Sequence, residues 1–312
     1  MAAVGGNNIN IVRFNYTGAE GEDIPDGATH ITIDESCSFV RSYAFRWHDN
    51  IVEVICHDRV EKIEKEAFRC CLKLRRVIMP GVKALERDAF DSCRALTDVE
   101  CGKLEIIDIY AFESCTSLYC INLPSARIVE EGVFWECTEL TDVKFGIKLE
   151  RFGYRAFFRC YSLERITIPL KDGLITPNST FQACENLKHI NLVEEEILHE
   201  TIAALQLEEW RNDMGEEIDS INQILPTTYA GYYENFGGEE DGQKARAIRR
   251  WIGSVLHKII LYQAEHQLLL NEAASTIHHV LPQDIVMNNV LSLLALPSHL
   301  FGGDGQEDAG RT

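Results

Sequence analysis

The chain of 312 residues is 46% apolar and 25% charged, the balance of a soluble globular protein long enough for two domains. Its formal net charge of −19 argues against a nucleic-acid binder or a protein docked on anionic membrane, since both need a basic face. No apolar run approaches the roughly eighteen residues of a membrane span, and MAAVGGNNIN lacks the charged start and apolar run of a secretory signal, so the protein is expected in the cytoplasm, with the nucleus as the other intracellular option.

The charge is uneven along the chain. Residues 1–36 hold six acids and one base, and residues 37–193 are nearly neutral with 23 acids and 22 bases. Residues 194–241 hold fourteen acids against the single base Arg211, and residues 242–312 balance at six of each. The change of character after Val193 predicts a domain boundary. The expected division is a cap of strands over 1–36, a repeat block over 37–193, a helical region over 194–300 and a disordered tail over 301–312.

In the cap, NINIVRFNY and ITID read as short strands, the second following the turn-forming IPDGA. Then the chain becomes self-similar. Ala44-Phe45, Ala67-Phe68, Ala89-Phe90, Ala111-Phe112, Val133-Phe134, Ala156-Phe157 and Thr180-Phe181 place a Phe every 23, 22, 22, 22, 23 and 24 residues. Three residues after each Phe stand His48, Cys71, Cys93, Cys115, Cys137, Cys160 and Cys184. Leu or Ile follows three residues later, and three further on comes a column of Val and Ile: Val54, Val77, Val99, Ile121, Val143, Ile166 and Ile190. Another apolar column, Val40, Ile63, Leu85, Ile107, Val129 and Phe152, lies five residues before the Phe. The seventh unit is stretched there by KDGL.

A unit of about 22 residues cannot bury its own apolar face, but stacked units bury a continuous core. Alternation such as Val77-x-Met79 and Ile121-x-Leu123 has the two-residue period of a strand with one buried face. Each unit is therefore expected to add one strand to a parallel sheet. Pro80, Pro124 and Pro169 stop the strands, because proline cannot donate to a ladder. The eleven cysteines all fall between Cys37 and Cys184, six of them in one column and none in a C-x-x-C pair. That spacing predicts small core thiols in a reducing compartment and no metal site.

The unit A-F-x-x-C-x-x-L-x-x-I-x-L-P resembles the BspA-like class of leucine-rich repeat. The resemblance covers about half the chain. It implies an open solenoid used mainly for protein binding; bacterial members are often surface adhesins. A repeat block followed by helices is similar to expanded families of such proteins in unicellular algae. The expected fold class is an α/β repeat solenoid, a leucine-rich-repeat stack with a parallel β-sheet, followed by an all-α C-terminal region.

After Leu192 the apolar period becomes helical. Met214, Ile218, Ile221 and Leu225 predict a first helix within 194–225, and Pro226 opens a loop through TTYAGYYENFGGEEDG. A second helix is expected over 243–270, with Ile248, Ile252, Val255 and Ile259 on one face, and a third over 284–296 between Pro282 and Pro297. The bases Lys244, Arg246, Arg249 and Arg250 open the second helix, where they oppose its dipole. They read either as a docking patch for an acidic partner or as counter-charges for the acidic helix at 194–219, the second being favoured.

Catalytic patterns are near misses. His199-Glu200-Thr201-Ile202-Ala203 starts like a zinc-protease helix, but Ala203 stands where the second imidazole is needed. Gly237 to Lys244 echoes a phosphate loop, yet Glu239, Glu240 and Asp241 would repel phosphate and Ala245 replaces the hydroxyl. His278-His279 reads as a helix-end pair. No enzyme, cofactor or metal is expected.

The remaining candidate is the outward face of the strands. Residues flanking the buried column include Glu53, Arg76, Asp98, Glu100, Asn122, Asp142, Lys144, Arg165, His189 and Asn191, with Ile55, Ile78, Cys120 and Thr167 among them. This mixture suits a protein surface and lacks the aromatic and basic stripe of a single-strand nucleic-acid binder. The expected function is a protein-binding scaffold. The alternatives are a regulatory adaptor whose helical region recruits a second protein, or a surface adhesin if the chain is exported.

Overall fold

The computed structural model describes residues 11–171, 173–175, 177–193 and 243–277. Two compact units divide the chain, one formed by residues 1–193 with 221–252 and the other by 194–220 with 253–312. The expected helices at 194–225 and 284–296, the loop between 226 and 242 and the tail at 301–312 lie outside the described residues.

The first unit is a solenoid in which each coil contributes one strand to a long-strand ladder. These strands are β1 (Arg13–Tyr16), β2 (His30–Ile33), β4 (Glu53–Ile55), β6 (Arg76–Ile78), β8 (Asp98–Glu100), β10 (Cys120–Leu123), β12 (Asp142–Phe145), β14 (Arg165–Ile168) and β15 (His189–Leu192). All pairings are parallel and in the register set by the Val/Ile column: Ile31, Val54, Val77 and Val99 are successive partners, as are Ile121, Val143, Ile166 and Ile190. Side chains of this column point inward and their neighbours outward, the period-two geometry of a half-buried strand. β6, β10 and β14 end just before or at the residue preceding the Met79-Pro80, Pro124 and Pro169 stops.

Each coil also carries a second, shorter strand. β3 (Phe39–Val40), β5 (Lys62–Ile63), β7 (Ala84–Leu85), β9 (Ile106–Ile107), β11 (Ile128–Val129) and β13 (Arg151–Phe152) form a separate six-stranded parallel sheet. The apolar column five residues before the Phe is thus a strand, so the expectation of one strand per unit is corrected to two. A two-residue strand buries one side chain per coil and leaves no alternation to read. In the seventh coil Ile175 takes this place, bridged to Phe152. The KDGL insertion is absorbed by Leu174 and Ile175, both buried.

Between the two sheets the chain turns a corner built around the Ala-Phe pair. Except for Ser179 in the seventh coil, the residues two before and two after the Phe adopt left-handed backbone, and the twelve non-glycine residues with positive φ among the described residues all belong to these two columns. Such conformations cost on the order of 1–3 kcal/mol each. Inter-coil hydrogen bonds offset that cost. The N–H groups of Asp88, Phe90 and Ser92 donate to the carbonyls of Ile109, Ala111 and Glu113 in the next coil, at 3.0, 2.8 and 2.8 Å. The alternate residues close turns within their own coil: Ala89 and Asp91 donate to Glu86 and Asp88. Every second N–H therefore serves the stack and every other one serves the turn.

The phenylalanines stack through the centre. Phe45, Phe68, Phe90, Phe112, Phe134, Phe157 and Phe181 follow at centroid distances of 4.9, 5.1, 5.5, 5.7, 5.2 and 5.4 Å with near-parallel rings. Tyr16 covers the first of them at 4.9 Å. The cysteine column satisfies the same corner. Thiols of Cys71, Cys93, Cys115, Cys137, Cys160 and Cys184 donate to the carbonyls of Phe45, Phe68, Phe90, Phe112, Phe134 and Phe157, one coil earlier, at 2.9–3.2 Å. The first coil has no Phe carbonyl behind it, which explains why His48 can occupy this column there.

The helix α1 (Gln243–Ile277) begins in the first unit and closes the last coil. Ala245, Ile248, Trp251 and Ile252 are buried. Lys244 Nζ donates to the carbonyls of Cys184, Glu185 and Leu187 at 2.5, 3.1 and 3.2 Å, and burial pulls its pKa down. Arg249 donates to the Ile175 carbonyl at 3.0 Å and to Asn178 Oδ1. Two bases that read from sequence as docking or counter-ion groups thus cap main-chain carbonyls that a following coil would otherwise meet. In the second unit the described residues are those of α1 from Gly253 onward; Val255 is buried, while Ile260, Leu261, Leu268 and Leu269 are exposed. Among the described residues no helix is long and apolar enough to cross a membrane.

Candidate partner-binding face

The outward residues of the long strands form in-register rows, because neighbouring coils keep one register. The ladder is interrupted between β8 and β10, and this divides the rows into two fields. Val99, beside the interruption, is the one member of its column among Val54, Val77, Val143 and Ile166 that is partly exposed.

In the first field Glu53, Arg76 and Asp98 are direct cross-strand partners, with Ile55, Ile78 and Glu100 beside them. Arg76 lies 2.7 Å from Glu100, 3.1 Å from Asp98 and 3.8 Å from Glu53. His30 comes within 4.0 Å of Glu53. One guanidinium is therefore shared by three carboxylates, and the four predicted residues here, Glu53, Arg76, Asp98 and Glu100, are brought together as an ion-pair network that keeps an excess of acid. Exposed pairs of this kind contribute little stability, and their polar groups are already engaged.

The second field differs. Cys120, Asp142, Arg165 and His189 form one row; Asn122, Lys144, Thr167 and Asn191 form the next. Asn122, Lys144, Arg165, His189 and Asn191 are exposed. The one ion pair between these rows' residues is Arg165–Asp142 at 3.9 Å, and Asp142 Oδ1 is buried without a hydrogen-bond partner in the described structure. Among the described residues, the side chains of Asn122, Lys144 and Asn191 make no hydrogen bond or ion pair. This row presents two exposed amides and an exposed ammonium group, with the half-buried Thr167 hydroxyl between them.

A second cluster, which sequence reasoning missed, lies at the corner. Carboxylate atoms of Asp88, Asp91 and Glu113 lie within 4.8 Å of one another. Asp88 and Asp91 are buried. Arg69 meets Asp91 at 2.8 Å and Glu66 at 3.2 Å; Arg87 meets Asp88 at 3.2 Å. Burial, together with the charges of Asp91, Asp88 and Glu136, pushes Glu113 up to about 7. Arg69 and Arg87 offset the charges of Asp91 and Asp88, and the cluster reads as a structural charge group. Its signal in the sequence was the column after the Phe, where Arg46 and Arg69 give way to Asp91 and Glu113.

The cysteines sort by position. Cys120 is exposed, Cys70 is half-buried and the other nine are buried. Cys70 and Cys71 are one outward and one inward residue, as their sequence position suggested. Burial pushes the thiols of Cys56 and Cys101 up to about 12 and raises those of Cys71, Cys93, Cys115, Cys137 and Cys160 as well, which makes them inert.

The chain is similar to known proteins. A family described as "BspA type Leucine rich repeat region" matches residues 26–128 and 105–213, in six copies. No curated protein matches the chain. Among solved structures, a leucine-rich repeat protein of T. pallidum is 22% identical, with 57% of this chain and 84% of that chain covered and a TM-score of 0.46. One from Bacteroides ovatus is 20% identical, with 55% and 53% covered and a TM-score of 0.40. Repeats of this family are typically non-catalytic scaffolds for protein binding or adhesion. The matched residues span more than half of the sequence, and the chain belongs to the BspA-type leucine-rich repeat family.

Proposed function

We propose that the protein is an intracellular scaffold that holds a partner protein on the second field of its strand face, over β10 to β15. The observation that carries this reading is the row of exposed Asn122, Lys144 and Asn191 with half-buried Thr167 between them, whose groups sit in register on four adjacent strands. Arg165 and His189 border it. The first field serves as an acidic flank whose one base, Arg76, is already shared among three acids. The reading includes no catalysis, cofactor, nucleic acid or membrane. Cytoplasmic placement is supported by the thiol column, which works as reduced hydrogen-bond donors. We also group the chain with the algal-type expansions, which carry helices after the repeats; α1 supports that grouping.

Affinity capture from the source cell with the full chain tests the reading. Lys144→Glu combined with Asn122→Ala removes the bound partner, whereas Arg76→Glu leaves it. Loss with Arg76→Glu and retention with the double variant contradicts the assignment. A second reading, an adaptor whose helical region recruits another protein, is favoured by the exposed Ile260, Leu261, Leu268 and Leu269 on α1. Its signature is a captured protein lost from Leu268→Glu but retained by Lys144→Glu.

A further inference from the structure

Corner turns hand their hydrogen bonds in one direction. Tyr43, Phe45 and Trp47 donate their N–H groups forward to the carbonyls of Lys65, Ala67 and Arg69, at 3.0, 2.7 and 2.9 Å, and later coils repeat the pattern. The equivalent carbonyls of the first corner, on Ser42, Ala44 and Arg46, face backward. The coil behind them is short: 17 residues separate the register partners Arg13 and His30, against 23 for His30 and Glu53. It covers the Phe stack with Tyr16 but forms no corner turn. Among the described residues, no group donates to the Ser42, Ala44 or Arg46 carbonyls.

Side chains report the same opening. Ala44 is partly exposed, whereas Ala67, Ala89, Ala111 and Ala156 in its column are fully buried. Trp47 is 64% exposed and Tyr43 45% exposed. The Arg46 guanidinium lies 4.0 Å from the Trp47 ring and 5.5 Å from the Tyr43 ring, and is anchored to Glu66 at 3.1 Å. An aromatic–arginine group of this composition, beside a row of open acceptors, has the make-up of a binding hot spot.

We propose that this rim binds a main-chain segment of a partner protein, which continues the corner ladder by one rung. Three alternate N–H groups of that segment donate to Ser42, Ala44 and Arg46, and an aliphatic side chain rests on Ala44 against Trp47. The occupant follows from continuity: each later corner meets the same backward-facing carbonyls with alternate main-chain N–H groups, and acceptors cannot be satisfied by a second copy of the same rim. A second copy joined head to tail would have to offer its last corner, whose Thr180 and Phe181 are buried in the coil that α1 closes. The inference is independent of binding on the strand face.

The test is selection of a phage-displayed library of random twelve-residue peptides on the full chain. Expected are peptides whose affinity falls at least tenfold on Trp47→Ala, with the thermal midpoint of that variant unchanged. N-methylation of the peptide backbone weakens binding tenfold at three alternate residues and not at those between. Four results overturn the proposal: no peptide recovered; binding that survives Trp47→Ala; N-methylation without an alternating pattern; or binding that appears only after residues 1–10 are removed, which assigns the rim to the chain's own N-terminus. Self-association of the full chain that Trp47→Ala abolishes also overturns it, in favour of a second copy.

Discussion

The corner and the strand face are built from the same coils, yet they are organised in opposite ways. At the corner, hydrogen bonds run without interruption from the first coil to the last, a ring stack fills the middle, and thiols reach back to the preceding Phe carbonyls. On the strand face the ladder breaks between β8 and β10, and the outward groups divide into an engaged field and an open one. The contrast teaches that the repeat signature most visible in the sequence, A-F-x-x-C, secures the stack, while the residues between the columns differ from coil to coil and face outward.

The largest effect should come from the corner. Phe112→Ala removes the central ring of the stack and leaves a cavity between Phe90 and Phe134. A loss of about 3–5 kcal/mol is expected in denaturant unfolding, with a loss of cooperativity between the halves of the solenoid. A loss below about 1 kcal/mol would show that the stack is not what secures the coils.

The thiol column comes next. Cys137→Ala deletes a buried thiol and its bond to the Phe112 carbonyl, and should cost about 1–2 kcal/mol. Cys137→Ser keeps a donor in the same place and should cost less. If serine costs more than alanine, the thiols act only as apolar filling. In the native protein a thiol reagent should label Cys120 quickly and Cys70 slowly, with the nine buried cysteines reacting only on unfolding.

Glu113 gives a pH-dependent difference. Its pKa is raised from 4.5 to about 7 in the folded chain, so the folded state holds the proton more tightly than the unfolded one. The stabilisation is complete below about pH 4.5, falls as pH rises to about 7, and is then lost. Glu113→Gln should remove this slope and stabilise the protein by roughly 1–2 kcal/mol at pH 8 relative to wild type. An unchanged stability profile would place the charge balance elsewhere in the cluster. The smallest stability effect should be on the strand face: Lys144→Ala and Asn122→Ala should each change unfolding by less than about 0.5 kcal/mol.

The solenoid was legible because its columns repeat. Seven Phe positions at near-constant spacing and the alternation around Val77 and Ile121 prescribe both register and inward direction. The second sheet was seen only as a column, since Val40 or Leu85 alone carries no period. The left-handed corner was hidden because Glu66, Cys70 and Ser92 are not residues that announce positive φ. Lys244 looked like a surface base, as its carbonyl partners lie about sixty residues earlier in the chain. The candidate face was named residue by residue from sequence, but its division was not. The crowding around Arg76 and the openness around Lys144 depend on cross-strand distances that alternation alone does not supply.

Photo-crosslinking in the source cell tests the division of labour most directly. A photoreactive residue placed at position 144 of the full chain, on the open field, should yield a covalent adduct with a specific protein. The same residue at position 114, on the corner of the fourth coil, should yield none. Adducts at 114 and none at 144 would contradict the account, making the corner the recognition surface and the strand face a solvated sheet.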